Sequence, residues 1–251
     1  MGRPNPSVGH PGRLQRKDIR DLFEGHHLAL VFPRFYPLTD AVTAATKIER
    51  EVARRVRSNR QSDKTSAMAF HEPNSLRRVF RGVTDPVLAS LRALEGAWGS
   101  ALRSHVGESD FADVMVFPKG AGSLPHCDRV EWDDPKLARP LGQASVLVYL
   151  RVPKRGGELE VWDFTPSKSA YQRLRGRGIY GLDRHKLRSP TAVIKPERGD
   201  MIILSTTRVH AVNPGSGPRI ATTFFVTYHG PSRPLTACGS IPPPYRQRRA
   251  T

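Results

Sequence analysis

Cysteine is almost missing from this chain: Cys127 and Cys238 are the only two in 251 residues. Two cysteines cannot build the disulfide framework of a small secreted domain, and a reducing cytoplasm is the expected compartment. No apolar run nears the roughly 20 residues of a membrane span, and none of the secretory kind occurs in the opening MGRPNPSVGHPGRLQRKDIR. Acidic side chains are scarce as well. Against 40 Lys and Arg stand 23 Asp and Glu, a formal net charge of +17. Such a balance attracts anions, whether nucleic acid, nucleotides or acidic metabolites. The basic residues are scattered, however, as in REVARRVRSNR, YQRLRGRG and YRQRR, and no aromatic cluster suited to stacking bases accompanies them. A nucleic-acid partner is therefore not expected.

What the chain does hold is one change of period. Residues 1–20, rich in Pro, Gly and charge, read as a mobile arm. A short strand is expected in LALVFPRFY (28–36). Helix formers run from Thr39 to about Ser58, with Val42, Ile48, Val52 and Val56 on one face. A second helix is expected over 85–105, with Asp85 as N-cap, Pro86 at the first helical position and Leu88, Leu91, Leu94 and Trp98 as its core-facing stripe. After Gly107 the runs become short and β-rich: 113–118, 144–152, 157–164, 191–196, 200–206 and 219–229, parted by Gly, Pro, Asn and Asp. The expected fold class is mainly β with N-terminal helices (α+β), an antiparallel sandwich or barrel. The expected organisation is a helical support region at 21–110, a catalytic core at 111–232 and a tail at 233–251.

The stretch LPHCDRV (124–130) sets His126 and Asp128 two positions apart. A polar turn after Pro125 is one reading. On a strand, residues i and i+2 share a face, so both side chains reach one point while Cys127 faces away. One imidazole and one carboxylate are two members of the facial triad of non-haem Fe(II) oxygenases. His210, between an apolar strand and a Gly/Pro loop, is the candidate third ligand. Nine residues on, Arg219 opens a strand on which Arg219, Ala221, Thr223 and Phe225 share a face. A guanidinium there can clamp a carboxylate through two parallel hydrogen bonds, and Thr223 adds a hydroxyl.

His126-x-Asp128, His210 and Arg219, together with GGELEVWD and KPERGDMIILSTTRVHAVNPGSGPR, resemble the 2-oxoglutarate and Fe(II)-dependent dioxygenases, and most of all their prolyl-hydroxylase-like branch. The resemblance spans about residues 111–229. It implies a double-stranded β-helix (jelly roll) core, Fe(II) on His126, Asp128 and His210, and 2-oxoglutarate and O2 as cosubstrates. It also implies Arg219 and Tyr149 as cosubstrate contacts, beside Thr223, and release of succinate and CO2 as a C–H bond is hydroxylated. Phe117 stands where the branch often has a tyrosine. Retention of Asp128 favours hydroxylation over chlorination, since related halogenases carry Gly or Ala there.

Substrate residues do not transfer from the resemblance. By position, Arg129, Glu131 and Trp132 follow the metal strand and could line its mouth. Asn74 and Arg77, in the polar loop HEPNSLRR (71–78), could cap the pocket, or Asn74 could cap a helix. The basic excursion 163–190 could form a lid; its charge suits an anionic substrate group, and a solvated loop fits it equally. Three functions compete: a hydroxylase of a small molecule (an amino acid, a nucleoside-like metabolite or another natural product), a prolyl-type protein hydroxylase, and a non-enzymatic basic nucleic-acid-binding protein.

Overall fold

The computed structural model describes residues 6–58, 68–70, 78–104, 113–129, 140–175 and 181–238. Its strands are β1 (Ser7–Gly9), β2 (His27–Phe32), β3 (Met68–Phe70), β4 (Arg103–Ser104), β5 (Asp113–Phe117) and β6 (Ser123–His126). There follow β7 (Gly142–Arg151), β8 (Leu159–Val161), β9 (Ala192–Ile194), β10 (Met201–Ser205), β11 (His210–Val212), β12 (Arg219–Tyr228) and β13 (Thr236–Cys238). The helices are α1 (Arg16–Phe23), α2 (Leu38–Ser58), α3 (Pro86–Trp98) and the short α4 (Lys168–Leu174).

Two sheets face each other without closing into a barrel. The larger runs β1-β2-β10-β7-β12-β13-β4, with β5 also on β12 and β3 on β5; the smaller runs β6-β11-β8-β9. Strand β7 shows why the large sheet sits in the middle of the molecule. Its residues Ala144, Val146, Val148 and Leu150 pack toward the helices, while Leu147 and Tyr149 pack between the sheets. A strand apolar on both faces is buried on both. The helix-facing core takes Ile203, Ile220, Phe224 and Val226 from the sheet, and Ile19, Leu22, Ile48, Leu94 and Trp98 from the helices. The inner core joins Ile202, Leu204, Tyr149 and Ala221 of the large sheet to Leu159, Val161, Ile194 and Val212 of the small one. This is a jelly-roll core with helices backing its larger sheet.

Local signals place the helices. The Asp85 carboxylate accepts from the N–H groups of Val87 (2.8 Å) and Leu88 (3.2 Å), Pro86 opens α3, and Gly99 closes it at φ 79°. These are an N-cap and a left-handed C-terminal glycine. The buried stripe differs from the expected one. Val87, Ser90, Leu94 and Trp98 are buried, whereas Leu88 faces solvent. In α2 the sheet-facing positions are Ala41, Ala44, Ala45 and Ile48, and Val42 is exposed. Small residues win there because the helix lies close against β7, where a larger side chain would hold it off.

Three expectations about organisation change. Residues 6–20 are not a free arm: Ser7–Gly9 pairs in parallel with β2 and the helix from Arg16 packs on the core. The region 21–110 is not only helical support, since β2 pairs along β10 inside the large sheet. The supposed tail contributes β13, which pairs with β12 at Phe225–Thr227. The pairings of β1 and β13 are not readable from local pattern, because a three-residue strand has no periodicity of its own.

Candidate active site

His126 ends β6 and His210 begins β11, and the two are cross-strand partners with ring centroids 4.4 Å apart. His210 shares its strand face with Val212, a member of the inner core, so both imidazoles look into the space between the sheets. The strand ends at His126, so Asp128 reaches the same point from a loop and not from i, i+2 alternation. What holds that loop is the Asp128 N–H, which donates to the Thr206 carbonyl at 2.9 Å. The Asp128 carboxylate lies 3.4 Å from His210 Nε2 and 3.9 Å from His126 Nε2. The three candidate ligand atoms lie within 4.8 Å of one another.

The rings are set for ligation. His126 Nδ1 donates to the Leu124 carbonyl at 2.7 Å, and His210 Nδ1 to the Arg208 carbonyl at 3.0 Å. A carbonyl can only accept, so Nδ1 carries a proton in each ring and Nε2 is the nitrogen left to face a cation. Burial, reinforced by the neighbouring His210, pushes the His126 pKa below its ordinary 6.5; Asp128 and the Leu124 carbonyl oppose the shift and lose. The neutral, metal-binding form of His126 is thus favoured.

On the inner face of the large sheet, beside Phe117 and Tyr149, Arg219 is buried as the first residue of β12. One Nη2–H donates to the Tyr149 hydroxyl at 2.8 Å. The guanidinium stands 4.9 Å from the Tyr149 ring centroid and 5.2 Å from that of Phe117. Its Nε is buried with no hydrogen-bond partner, and no carboxylate of the described residues pairs with it. A buried guanidinium with a donor unspent is unusual in a folded protein. It fits an anionic guest that binds along that edge. Phe117 supplies a ring where a hydroxyl was the alternative, leaving Tyr149 as the phenol in contact with Arg219.

Of the other candidates, Thr223 is buried two rungs beyond Arg219, with its Oγ1 2.7 Å from Ser145 Oγ. Arg129 lines a cleft of about 230 Å³ together with Leu22, Phe23, Ser205, Thr207 and Arg208. That cleft lies toward α1 and contains none of the three candidate ligands, so it is a neighbour of the metal chamber and not the chamber itself. Glu131, Trp132, Asn74 and Arg77 lie outside the described residues.

The excursion, read from sequence as a lid or a solvated loop, packs in part on the small sheet. In its described parts, Tyr171, Leu174 and Leu187 cover Trp162, Leu182, Val209 and Ala211, the small-sheet side turned away from the inner core. Leu182 N–H donates to the Pro125 carbonyl at 2.6 Å, and Arg184 pairs with the buried Glu160 at 2.6 Å. The segment braces the strands that carry His126 and His210 from behind. Sequence reasoning missed two supports. Arg208 reaches Asp163 and the Gly25 carbonyl, anchoring the turn before His210. Ser145 has the same parity as Tyr149 on β7, a signal that was readable.

Two imidazoles and one carboxylate converging on one point define the non-haem iron oxygenase class of site. The sequence profile of the 2OG-Fe(II) oxygenase superfamily matches residues 112–227. The match covers a little under half of the chain, and the oxygenase domain it describes marks a dioxygenase that uses Fe(II), 2-oxoglutarate and O2. Solved structures agree on the fold. An N-substituted L-amino acid dioxygenase from Burkholderia ambifaria AMMD superposes with TM-score 0.56 at 15% identity, over 90% of this chain and 91% of that one. HygX from Streptomyces hygroscopicus, solved with nickel and 2-oxoglutarate bound, gives 0.51 at 15% identity, over 84% and 86%. No curated protein sequence matches the chain. Among the described residues no helix is long and apolar enough to cross a membrane.

Proposed function

We propose that the protein hydroxylates a small polar molecule, with His126, Asp128 and His210 holding Fe(II) and with Arg219 and Tyr149 holding the distal carboxylate of 2-oxoglutarate. When bound, iron and 2-oxoglutarate together activate O2 for attack on an unactivated C–H bond, releasing succinate and CO2. The chain's own part is placement. The Leu124 and Arg208 carbonyls fix the two ring tautomers. The Thr206 carbonyl steadies Asp128, whose carboxylate supplies the third donor. The Arg219 guanidinium meets a carboxylate with charge-assisted hydrogen bonds, and the rings of Phe117 and Tyr149 keep water off that pairing.

The observation that carries the reading is the buried Arg219 Nε without a partner, on the inner face of the large sheet opposite the small sheet that bears the cluster's two histidines. Small-molecule turnover is favoured over a peptide or nucleic-acid target because the described residues form one oxygenase-like core. The Burkholderia enzyme, an N-substituted L-amino acid dioxygenase, suggests where a substrate panel should start. The test is anaerobic addition of Fe(II) and 2-oxoglutarate, followed by visible absorption. A weak charge-transfer band is expected in the native protein and none in His126→Ala or His210→Ala. Substrate-stimulated succinate release, with mass detection of an added oxygen, then separates amino acids and other metabolites from prolyl peptides. Absence of the band together with steeply salt-dependent DNA binding would make the chain a basic binding protein instead.

A further inference from the structure

The cleft beside the Asp128 loop carries chemistry that the metal site does not use. It holds about 230 Å³, with Arg129, Arg208, Ser205 and Thr207 among its polar lining and Phe23 and Leu141 on its apolar side. Among the described residues no Asp or Glu lines it. Guanidinium and hydroxyl groups gathered in a concave space without a carboxylate suit an oxyanion.

Hydrogen-bond accounting leaves donors over in this lining. Ser205 is buried, yet its Oγ meets only Thr207 Oγ1, at 3.5 Å. An O–H···O bond normally spans about 2.5–3.0 Å, so these two hydroxyls do little for each other. Neither has another partner among the described residues. Arg208 spends one Nη1–H on Asp163 and one Nη2–H on the Gly25 carbonyl. Its Nε–H and the second hydrogen of each Nη have no partner among the described residues. Its side chain is only 11% exposed, and burial pushes its pKa down. A guanidinium withdrawn so far from water gains from each acceptor that reaches it. Arg129 brings a second guanidinium to the same cleft.

The cleft adjoins the metal point. Arg129 follows Asp128, and Ser205 and Thr207 flank Thr206, whose carbonyl accepts the Asp128 N–H at 2.9 Å. Arg208 accepts from His210 Nδ1 through its carbonyl, while its guanidinium side chain lines the cleft. Ser205 shares the helix-facing side of β10 with Ile203 and is the last residue of that strand. The sheet stops there, and the turn to His210 divides the cleft from the metal point. Consecutive Cα atoms are about 3.8 Å apart, so a molecule of amino-acid size can reach past a wall one residue thick. We propose that this cleft anchors the substrate by an oxyanion, a carboxylate or a phosphate monoester, through Arg129, Arg208 and the Ser205 and Thr207 hydroxyls, and that the carbon to be oxidised lies several bonds away at the metal. This rests on the oxygenase reading and narrows its small polar molecule to an anionic one. Phe23 and Leu141, the latter 70% exposed, suit the apolar stem between the two ends.

The test uses the full-length enzyme with Fe(II), 2-oxoglutarate and O2, and the variants Arg129→Gln and Thr207→Val. The panel holds N-substituted L-amino acids and other short carboxylic acids, each beside its primary amide, and phosphate monoesters, each beside its parent alcohol. In substrate-stimulated succinate release, native enzyme should favour the anionic member of a productive pair by about 10–100-fold in kcat/KM, the scale of a charge-assisted hydrogen bond. Arg129→Gln should remove most of that preference and Thr207→Val part of it, while the Fe(II)–2-oxoglutarate band and the KM for 2-oxoglutarate stay as in the native enzyme. The acid and phosphate arms tell which oxyanion is read. A neutral compound turned over as well as its anionic partner overturns the proposal, as does a panel in which no anionic compound stimulates turnover. A preference that survives both substitutions places the anion elsewhere and overturns it too. Should Arg129→Gln disturb Asp128 and lose the band, Thr207→Val decides alone, and an unchanged preference in it is the refuting result. A native enzyme without the band is distinguishable, since it sinks the oxygenase reading itself.

Discussion

Replacing Arg219 with methionine should move binding and stability in different directions. The side chain is buried, its Nη2 bonds the Tyr149 hydroxyl, its Nε bonds nothing, and no described carboxylate neutralises it. If it clamps the cosubstrate through two charge-assisted hydrogen bonds at about 1.5–3 kcal/mol each, their loss amounts to about 3–6 kcal/mol. At ~1.4 kcal/mol per decade, 2-oxoglutarate should bind roughly 10²–10⁴-fold more weakly. Stability without ligand should behave otherwise. A buried charge carries a desolvation penalty of about several kcal/mol, offset here only by two aromatic faces, at about 0.5–2 kcal/mol apiece, and one neutral hydroxyl. Exchanging it for an apolar side chain of similar length removes the penalty and leaves one Tyr149 hydroxyl to re-pair, at about 1 kcal/mol. The ligand-free variant should be as stable as the native protein or more so. Thermal unfolding with and without 2-oxoglutarate, with a redox-silent divalent ion present, reads both effects. Native protein at one hundred times its Kd should gain about 2.7 kcal/mol and the variant about 0.4 kcal/mol or less. A variant that keeps the ligand-induced shift, or that unfolds several degrees lower without ligand, refutes the argument.

Two further outcomes follow from the metal chamber. His126 resists protonation in the folded protein, whereas the unfolded chain takes the proton near 6.5, so the unfolded state binds more protons as pH falls through that value. The stability that His126 contributes is therefore present above pH 6.5 and is lost below it. Urea unfolding of metal-free protein at pH 7.5 and 5.5 should show a larger acid loss in the native chain than in His126→Asn; equal losses would remove His126 from the account. Gly181 sits at φ 99°, and a Cβ there would come within 2.9 Å of both Leu124 Cβ and the Pro125 carbonyl. Gly181→Ala should push β6 and its terminal histidine off position, weakening Fe(II) by about 10–100-fold, the scale seen for residues that orient ligands. Circular dichroism should remain native in this variant, and unchanged Fe(II) titration would show that β6 tolerates the push.

Local chemistry wrote much of this protein into its sequence. The long strands β7, β10 and β12 were legible because each carries a run of apolar and β-branched residues bounded by turn formers. Helix α3 was legible through Asp85, Pro86 and its apolar period. The order of His126, Asp128, His210 and Arg219, through its resemblance to the 2-oxoglutarate oxygenases, implies iron and an oxo-diacid. What the sequence could not supply was the order of strands across space. Two- and three-residue strands such as β1, β4 and β13 exist only because a neighbour offers unpaired backbone groups. Asp128 reaches His210 because its loop is held by the Thr206 carbonyl, 78 residues away in the chain. In its described parts the excursion packs Tyr171, Leu174 and Leu187 on Trp162, Val209 and Ala211, which offered an apolar surface there. Residue type and spacing determine which chemistry a chain can perform; which side chains meet at one point is decided by long-range pairing and packing, whose partners leave no local mark.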